Sequence, residues 1–238
     1  MNCKNCNVEV TMNFCPNCGH PIKLKRIDAH YINNEIKHIL HFEKGFLFTV
    51  RELITRPGDN VKHFITENRN RLVKPIIFLF ITSLFYSLCN YIFHFEDSYI
   101  KNLNHNQSSL DIIFKWIQGH YGYANLIMGI FIAMWAKLFF RKYQFNLFEI
   151  FILLCFIMGL GMLIFSFFGI IQGLTQINLI QLSSIIGIVY FTWAIGQFFD
   201  KGKLMSYVKA FFSYLIGMLT FIILAVIIAI IIDLVIKK

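Results

Sequence analysis

The residues with the plainest capacity for chemistry stand at the start of the chain, as Cys3-x2-Cys6-x8-Cys15-x2-Cys18 in the local sequences CKNC and CPNCGH. Each C-x2-C pair presents two thiolates on one tight turn, and two such knuckles supply the four soft ligands of a tetrahedral zinc site. Iron, a redox pair and a metal-free segment are the competing readings. Haem attachment is excluded, because Gly19 separates Cys18 from His20. Four cysteines close the coordination sphere and leave no position for a reactive water, so the expected Zn2+ is structural. Val8-Glu9-Val10-Thr11 alternates like one short strand between the knuckles, and Gly19 suits the turn after the last cysteine. Residues 1–22 are therefore expected to form a small β zinc ribbon. A segment that short buries almost no core, so metal binding, at about 10–16 kcal/mol in small zinc peptides, must supply its folding energy. A reducing compartment keeps such thiols free for metal.

Two further groups carry weaker signals. Glu35-x2-His38-x2-His41 puts three possible ligands on one helix face, but one copy without partner helices reads first as a solvated polar face. Arg69, Arg71 and Lys74 precede a long apolar run, with Arg56 and Lys62 nearby. Such a cluster attracts anionic lipid headgroups and equally retains a segment on the cytoplasmic side. No H-E-x-x-H, G-x-S-x-G, phosphate-binding loop or paired intramembrane carboxylate occurs, so no enzymatic activity is expected. Cys89 and Cys155 fall in apolar runs and read as packed side chains.

The elements that must carry these groups are set by composition. Of 238 residues 57% are hydrophobic and 15% charged, against about 45–50% and 25% in soluble domains. The apolar residues concentrate after Pro75, whereas 12 of the 22 Lys and Arg precede it. Soluble enzymes and secreted disulfide scaffolds are excluded. About 20 apolar residues span a bilayer core, and five runs qualify: 76–95, 121–140, 147–171, 179–199 and 210–232. The fold class is thus an all-α polytopic membrane protein of about five transmembrane helices with a small N-terminal β zinc ribbon. It is organised as ribbon 1–22, cytoplasmic linker with amphipathic helices 23–74, and five-helix transmembrane domain 75–238. In the linker, Ile32, Ile36, Ile39 and Leu40, then Phe46, Leu47, Val50, Leu53 and Ile54, recur at helical spacing until Pro57-Gly58. A third piece capped by Asp59 carries Val61, Phe64 and Ile65. These pieces are expected on the inner membrane face or against the bundle. Residues 111–117 read as a further interfacial helix with Trp116 at headgroup depth.

Charge then orients the spans. With the N-terminus inside, 18 Lys and Arg fall on the inner side and 4 outside; without the long N-terminal segment the split is 6 to 4. The expected location is the cytoplasmic (inner) membrane, N-terminus in and C-terminus out, although Lys237-Lys238 would favour the cytoplasm. No cleavable signal peptide is expected, since Met1-Asn2-Cys3-Lys4 is polar and no apolar stretch follows within 30 residues. Net charge of +9 is explained by topology, so nucleic acid is not an expected partner. Lys137, Glu149 and Asp233 sit near span ends rather than mid-membrane, where a proton or ion relay would place charges. Asn90, His94, Asn125, Gln181, Ser183, Ser184, Thr192 and Gln197 could line a polar path, but read first as interhelical hydrogen-bonding groups. Gly129 with Ala133, and Gly169 with Gly173, offer small-residue packing faces.

The order of parts resembles an uncharacterised bacterial family, a domain of unknown function, of zinc-ribbon membrane proteins. The resemblance rests on the C-x2-C and C-x2-C-Gly ribbon, Lys44-Gly45-Phe46 leading to Thr49 and Leu53, Arg56-Pro57-Gly58, and a basic run ending at Pro75. The chain departs from that pattern at His20, where Gln is common, and at Glu67-Asn68-Arg69 and Leu72, which replace a Gly-Lys-Arg and a Tyr. A fainter likeness, from Pro57 into the spans, is to Yip-type five-span membrane proteins. Neither resemblance implies a reaction. The expected function is that of an integral membrane protein whose ribbon docks a protein partner or organises an assembly; the alternative is a transporter or lipid-handling permease with a regulatory ribbon.

Overall fold

Proline opens two of the helices of this chain, and short polar turns such as Arg141-Lys142-Tyr143-Gln144 and Lys201-Gly202-Lys203 separate others. The computed structural model describes Cys6, Val8, Glu9, residues 15–18, 45–96 and 109–236. The chain divides into two compact units, Met1–His41 and Phe42–Lys238. Cys3, Gly19, the 23–44 segment with Glu35, His38 and His41, and Lys237-Lys238 lie outside the described residues. In the first unit Glu9 makes an isolated β-bridge, and the described residues contain no strand; most of the hairpin expected between the knuckles lies outside them.

The second unit is helical. Its elements are α1 (Phe46–Thr55), α2 (Pro57–Thr66), α3 (Pro75–Phe93), α4 (Ser109–Gly119), α5 (Tyr121–Phe139), a 3-10 turn (Arg141–Tyr143), α6 (Leu147–Thr175), α7 (Ile180–Asp200) and α8 (Leu204–Ile236). Five of them, α3, α5, α6, α7 and α8, are long and apolar enough to cross a membrane. Pro57 and Pro75 each open a helix at its first position, where a missing N–H costs no hydrogen bond. The expected helix at 111–117 is α4.

The span limits differ in places for a physical reason. α8 begins six residues before the expected 210 and runs beyond 232, because Lys209 and Asp233 are tolerated inside a helix whereas a proline would not be. Ser206 of that extension is buried. α6 likewise continues beyond 171, closing at Gln176 in a left-handed conformation (φ 58°).

α6 is the axis of the unit. Its 29 residues make about 43 Å of helix, against about 28 Å for the 19 residues of α3, and α3, α5 and α7 all pack on it. Its glycines are sockets for aromatic rings: Gly159 faces Phe78, Gly161 faces Phe191, and the Gly169–Gly173 pair faces Phe95 and Phe93. Asn146 and Glu149 start α6 with a reciprocal capping box, Glu149 N–H to Asn146 Oδ1 at 2.8 Å and Asn146 N–H to Glu149 Oε2 at 2.7 Å. Lys137 donates to the Phe145 carbonyl beside it. Glu149 therefore caps the start of α6, and Lys137 ties the turn before it to the end of α5.

The extra length of α6 is covered by α1 and α2. Phe156, nine residues after α6 begins, meets Phe64 of α2 at 5.3 Å and Phe78 of α3 at 6.0 Å between ring centroids. Leu53, Val61, Phe64 and Ile65 belong to the same buried core as Ile150, Leu154, Phe191 and Phe198. The amphipathic faces legible at 46–65 are thus turned into the bundle. Three polar contacts fasten them to the bundle, Gly58 N–H to Gln197 Oε1 (2.8 Å), Tyr190 OH to the Leu53 carbonyl (3.2 Å) and Lys201 Nζ to Asp59 Oδ2 (3.2 Å), while Asn60 Nδ2 ties α2 to α1 through the Glu52 carbonyl (2.9 Å).

Candidate metal centre

The knuckle turns bring sulfur atoms together as the spacing requires. Cys6 lies in one turn, and Pro16, Asn17 and Cys18 form the other. The Sγ atoms of Cys6, Cys15 and Cys18 all lie within 4.8 Å of one another, and Cys6 Sγ is 3.5 Å from Cys15 Sγ. A disulfide would need about 2.05 Å, whereas four sulfurs at about 2.3 Å from a zinc ion stand about 3.8 Å apart at the edges of the tetrahedron. The donor set fits a thiophilic cation with one place left for a fourth ligand. Cys3, the expected fourth, lies outside the described residues. Cys15 is 2% exposed and Cys18 open to solvent.

The electrostatics favour the metal-binding form. The Val8 backbone N–H and then the Cys18 side chain direct hydrogen bonds at the Cys6 sulfur and pull its thiol down to about 6. Above that value Cys6 is mainly thiolate, the form that ligates metal, and this preference is lost as pH falls through about 6. Cys89 and Cys155 are buried in apolar clusters on α3 and α6, far in sequence from the knuckles.

The three basic residues before the first span separate in the structure. Arg71 turns inward, pairs with Glu52 of α1 and lies 5.8 Å over the Phe48 ring, while Arg69 and Lys74 remain exposed. Of the polar residues in the spans, Gln197 holds α2 and Asn90 enters a carboxylate cluster. Ser83 Oγ, Asn125 Nδ2 and Thr192 Oγ1 are buried with no hydrogen-bond partner.

That carboxylate, Glu96, is the feature sequence reading passes over. It follows α3 at the end of the bundle opposite Lys74, and accepts hydrogen bonds from Tyr86 OH (2.5 Å), Tyr121 OH (2.5 Å) and Asn90 Nδ2 (3.0 Å), while its N–H donates to Asn90 Oδ1 (3.2 Å). Tyr86 and Tyr121 meet edge to face at 4.9 Å. The nearby Phe95 carbonyl accepts from Gln172 Nε2 of α6 at 3.0 Å. The cluster joins α3, α5 and α6 at one level. Tyr121→Phe leaves Glu96 Oε2 with one donor fewer in a half-buried position, which should cost about 1–3 kcal/mol; thermal unfolding of the full chain in detergent reads the loss, and an unchanged midpoint would contradict it.

Residues 43–87 match a family described as a protein of unknown function, DUF3667. The match begins after the cysteines and takes in α1, α2, the basic approach and most of α3, so the resemblance to an uncharacterised family holds over the segment that contains Arg56-Pro57-Gly58. No curated protein and no solved structure matches the chain.

Proposed function

We propose that this is a non-catalytic integral membrane protein whose four N-terminal cysteines hold one structural zinc ion, forming a ribbon that docks a protein partner or organises an assembly. The observation that carries the reading is the meeting of Cys6, Cys15 and Cys18 sulfurs within 4.8 Å in a unit separate from the helices. The membrane part supports it through five helices of spanning length, and through Gln197 and Asn90, whose side-chain amides are taken up in contacts with Gly58 and Glu96. Lys74, Lys137, Arg141, Lys142, Lys201 and Lys203 lie at the helix ends of one side of the bundle, which supports the cytoplasmic membrane with that side and the N-terminus inside. The C-terminus then lies outside.

A quantitative pull-down from native membranes tests the reading, comparing the full chain with a Cys15→Ser, Cys18→Ser variant at matched membrane level. Partners should disappear together with the zinc. An unchanged partner list from a fully inserted, zinc-free variant would move the function into the helices. One observation favours a second reading, a transporter or lipid-handling permease: the buried Ser83, Asn125 and Thr192 atoms without partners are what a polar solute path would leave in an empty bundle. Uptake and lipid-exchange assays in liposomes address it.

A further inference from the structure

One face of α1 is not used by the core. Thr49 and Leu53 are fully buried on one side, while Leu47, Arg51 and Ile54, at i, i+4 and i+7, share the opposite side and are exposed. A single cation thus stands between two aliphatic side chains that water does not favour. The helix is fixed in this attitude: Val73 N–H donates to Thr49 Oγ1 at 3.1 Å and Arg71 pairs with Glu52, which lays α1 beside the approach to α3. There Arg69 and Lys74 are exposed, followed by exposed Ile76 and Ile77 in the first turn of α3. The same change from cation to aliphatic therefore occurs on two adjacent segments. Arg71 has a carboxylate and Lys62 lies 5.8 Å over the Phe145 ring, but Arg51, Arg69 and Lys74 have no acidic partner among the described residues.

We propose that Arg51, Arg69 and Lys74 form a patch that binds the phosphate of anionic phospholipids, with Leu47, Ile54, Ile76 and Ile77 against the first methylenes of the acyl chains. Retaining a segment on the cytoplasmic side needs only cations near a span; it does not need aliphatic side chains exposed beside them on a helix anchored to the bundle. An interfacial helix needs both, with the apolar groups at the acyl boundary and the cations among the headgroups. The occupant is anionic because these three cations have no acidic partner among the described residues, and a lipid because Lys74 leads directly into the first turn of a spanning helix. Each cation at an anionic surface contributes about fivefold to binding. The inference is independent of the ribbon and should survive loss of its zinc.

The test is native mass spectrometry of the detergent-purified full chain with equimolar phosphatidylglycerol and phosphatidylcholine. The unmodified protein should retain the anionic lipid at least tenfold more, and Arg51→Gln with Lys74→Gln should reduce that preference at least fivefold. Arg141→Gln with Lys142→Gln removes the same charge from the same side of the bundle and should leave the preference within twofold. Thermal unfolding of all three proteins selects folded samples, and the single variant Arg51→Gln replaces the double if the latter unfolds. Equal binding of both lipids by the unmodified protein, or equal losses in the two variants, would overturn the patch; the second outcome would reduce it to bulk charge.

Discussion

Gly58→Ala should detach α2 from α7. A Cβ built at Gly58 would stand 2.3 Å from the Phe198 nitrogen, 2.6 Å from the Gln197 carbonyl carbon and 2.8 Å from the Ala194 oxygen. These are backbone atoms of one helix and none can swing aside, so α2 must move by about an ångström or more to restore van der Waals separation. The displacement lengthens the 2.8 Å hydrogen bond from Gly58 N–H to Gln197 Oε1, and it loosens Val61 and Phe64, which are 0% and 4% exposed in the shared core. Overpacking of this kind costs about 1–3 kcal/mol, and the weakened hydrogen bond adds about 1 kcal/mol. Thermal unfolding of the full chain in detergent, with Gly119→Ala as control, reads the effect, because a Cβ at Gly119 meets nothing within 4 Å. The control should unfold near the unmodified protein and Gly58→Ala well below it. Equal midpoints would mean that α1 and α2 do not belong to the core.

Loss of a knuckle ligand should have the largest effect of all, confined to the first unit. Cys15→Ser removes the most buried of the three described ligands, and with it most of a binding energy of about 10–16 kcal/mol that stands in for a hydrophobic core. Maleimide labelling under native conditions converts this into a count. In the zinc-loaded protein the knuckle sulfurs are ligated and Cys89 and Cys155 buried, so no thiol should react. In Cys15→Ser, Cys3, Cys6 and Cys18 should all react, while Cys89, 5% exposed, and Cys155, 2% exposed, stay protected. Rapid labelling of four thiols in the zinc-loaded protein would contradict ligation by the cysteines.

The parts legible in the sequence are those set by neighbours along the chain. Span positions follow from apolar length, and only their ends moved, because a lone Lys209 or Asp233 marks polarity without stopping a helix. The cysteine spacing predicts a cluster, and three of its members do converge. The depth of α1 and α2 was not legible: a 3.6-residue apolar period is the same whether the partner is a lipid surface or the side of α6. Arg56-Pro57-Gly58 signals a break, but only the α7 backbone beside Gly58 explains why the third residue has no side chain. Arg71 reads as one more headgroup cation until Glu52, nineteen positions earlier, is seen beside it. Glu96 reads as a polar residue after a span because its partners Tyr86 and Tyr121 are ten and twenty-five positions away, and no local pattern links them.

The central claim concerns the metal, and X-ray absorption at the zinc edge, with elemental analysis of the same sample, tests it most directly. The full chain purified without chelators should carry one zinc per molecule, surrounded by four sulfurs at about 2.3 Å. Iron in its place, a shell containing nitrogen or oxygen, or no stoichiometric metal in protein with reduced cysteines would contradict a closed four-cysteine zinc ribbon.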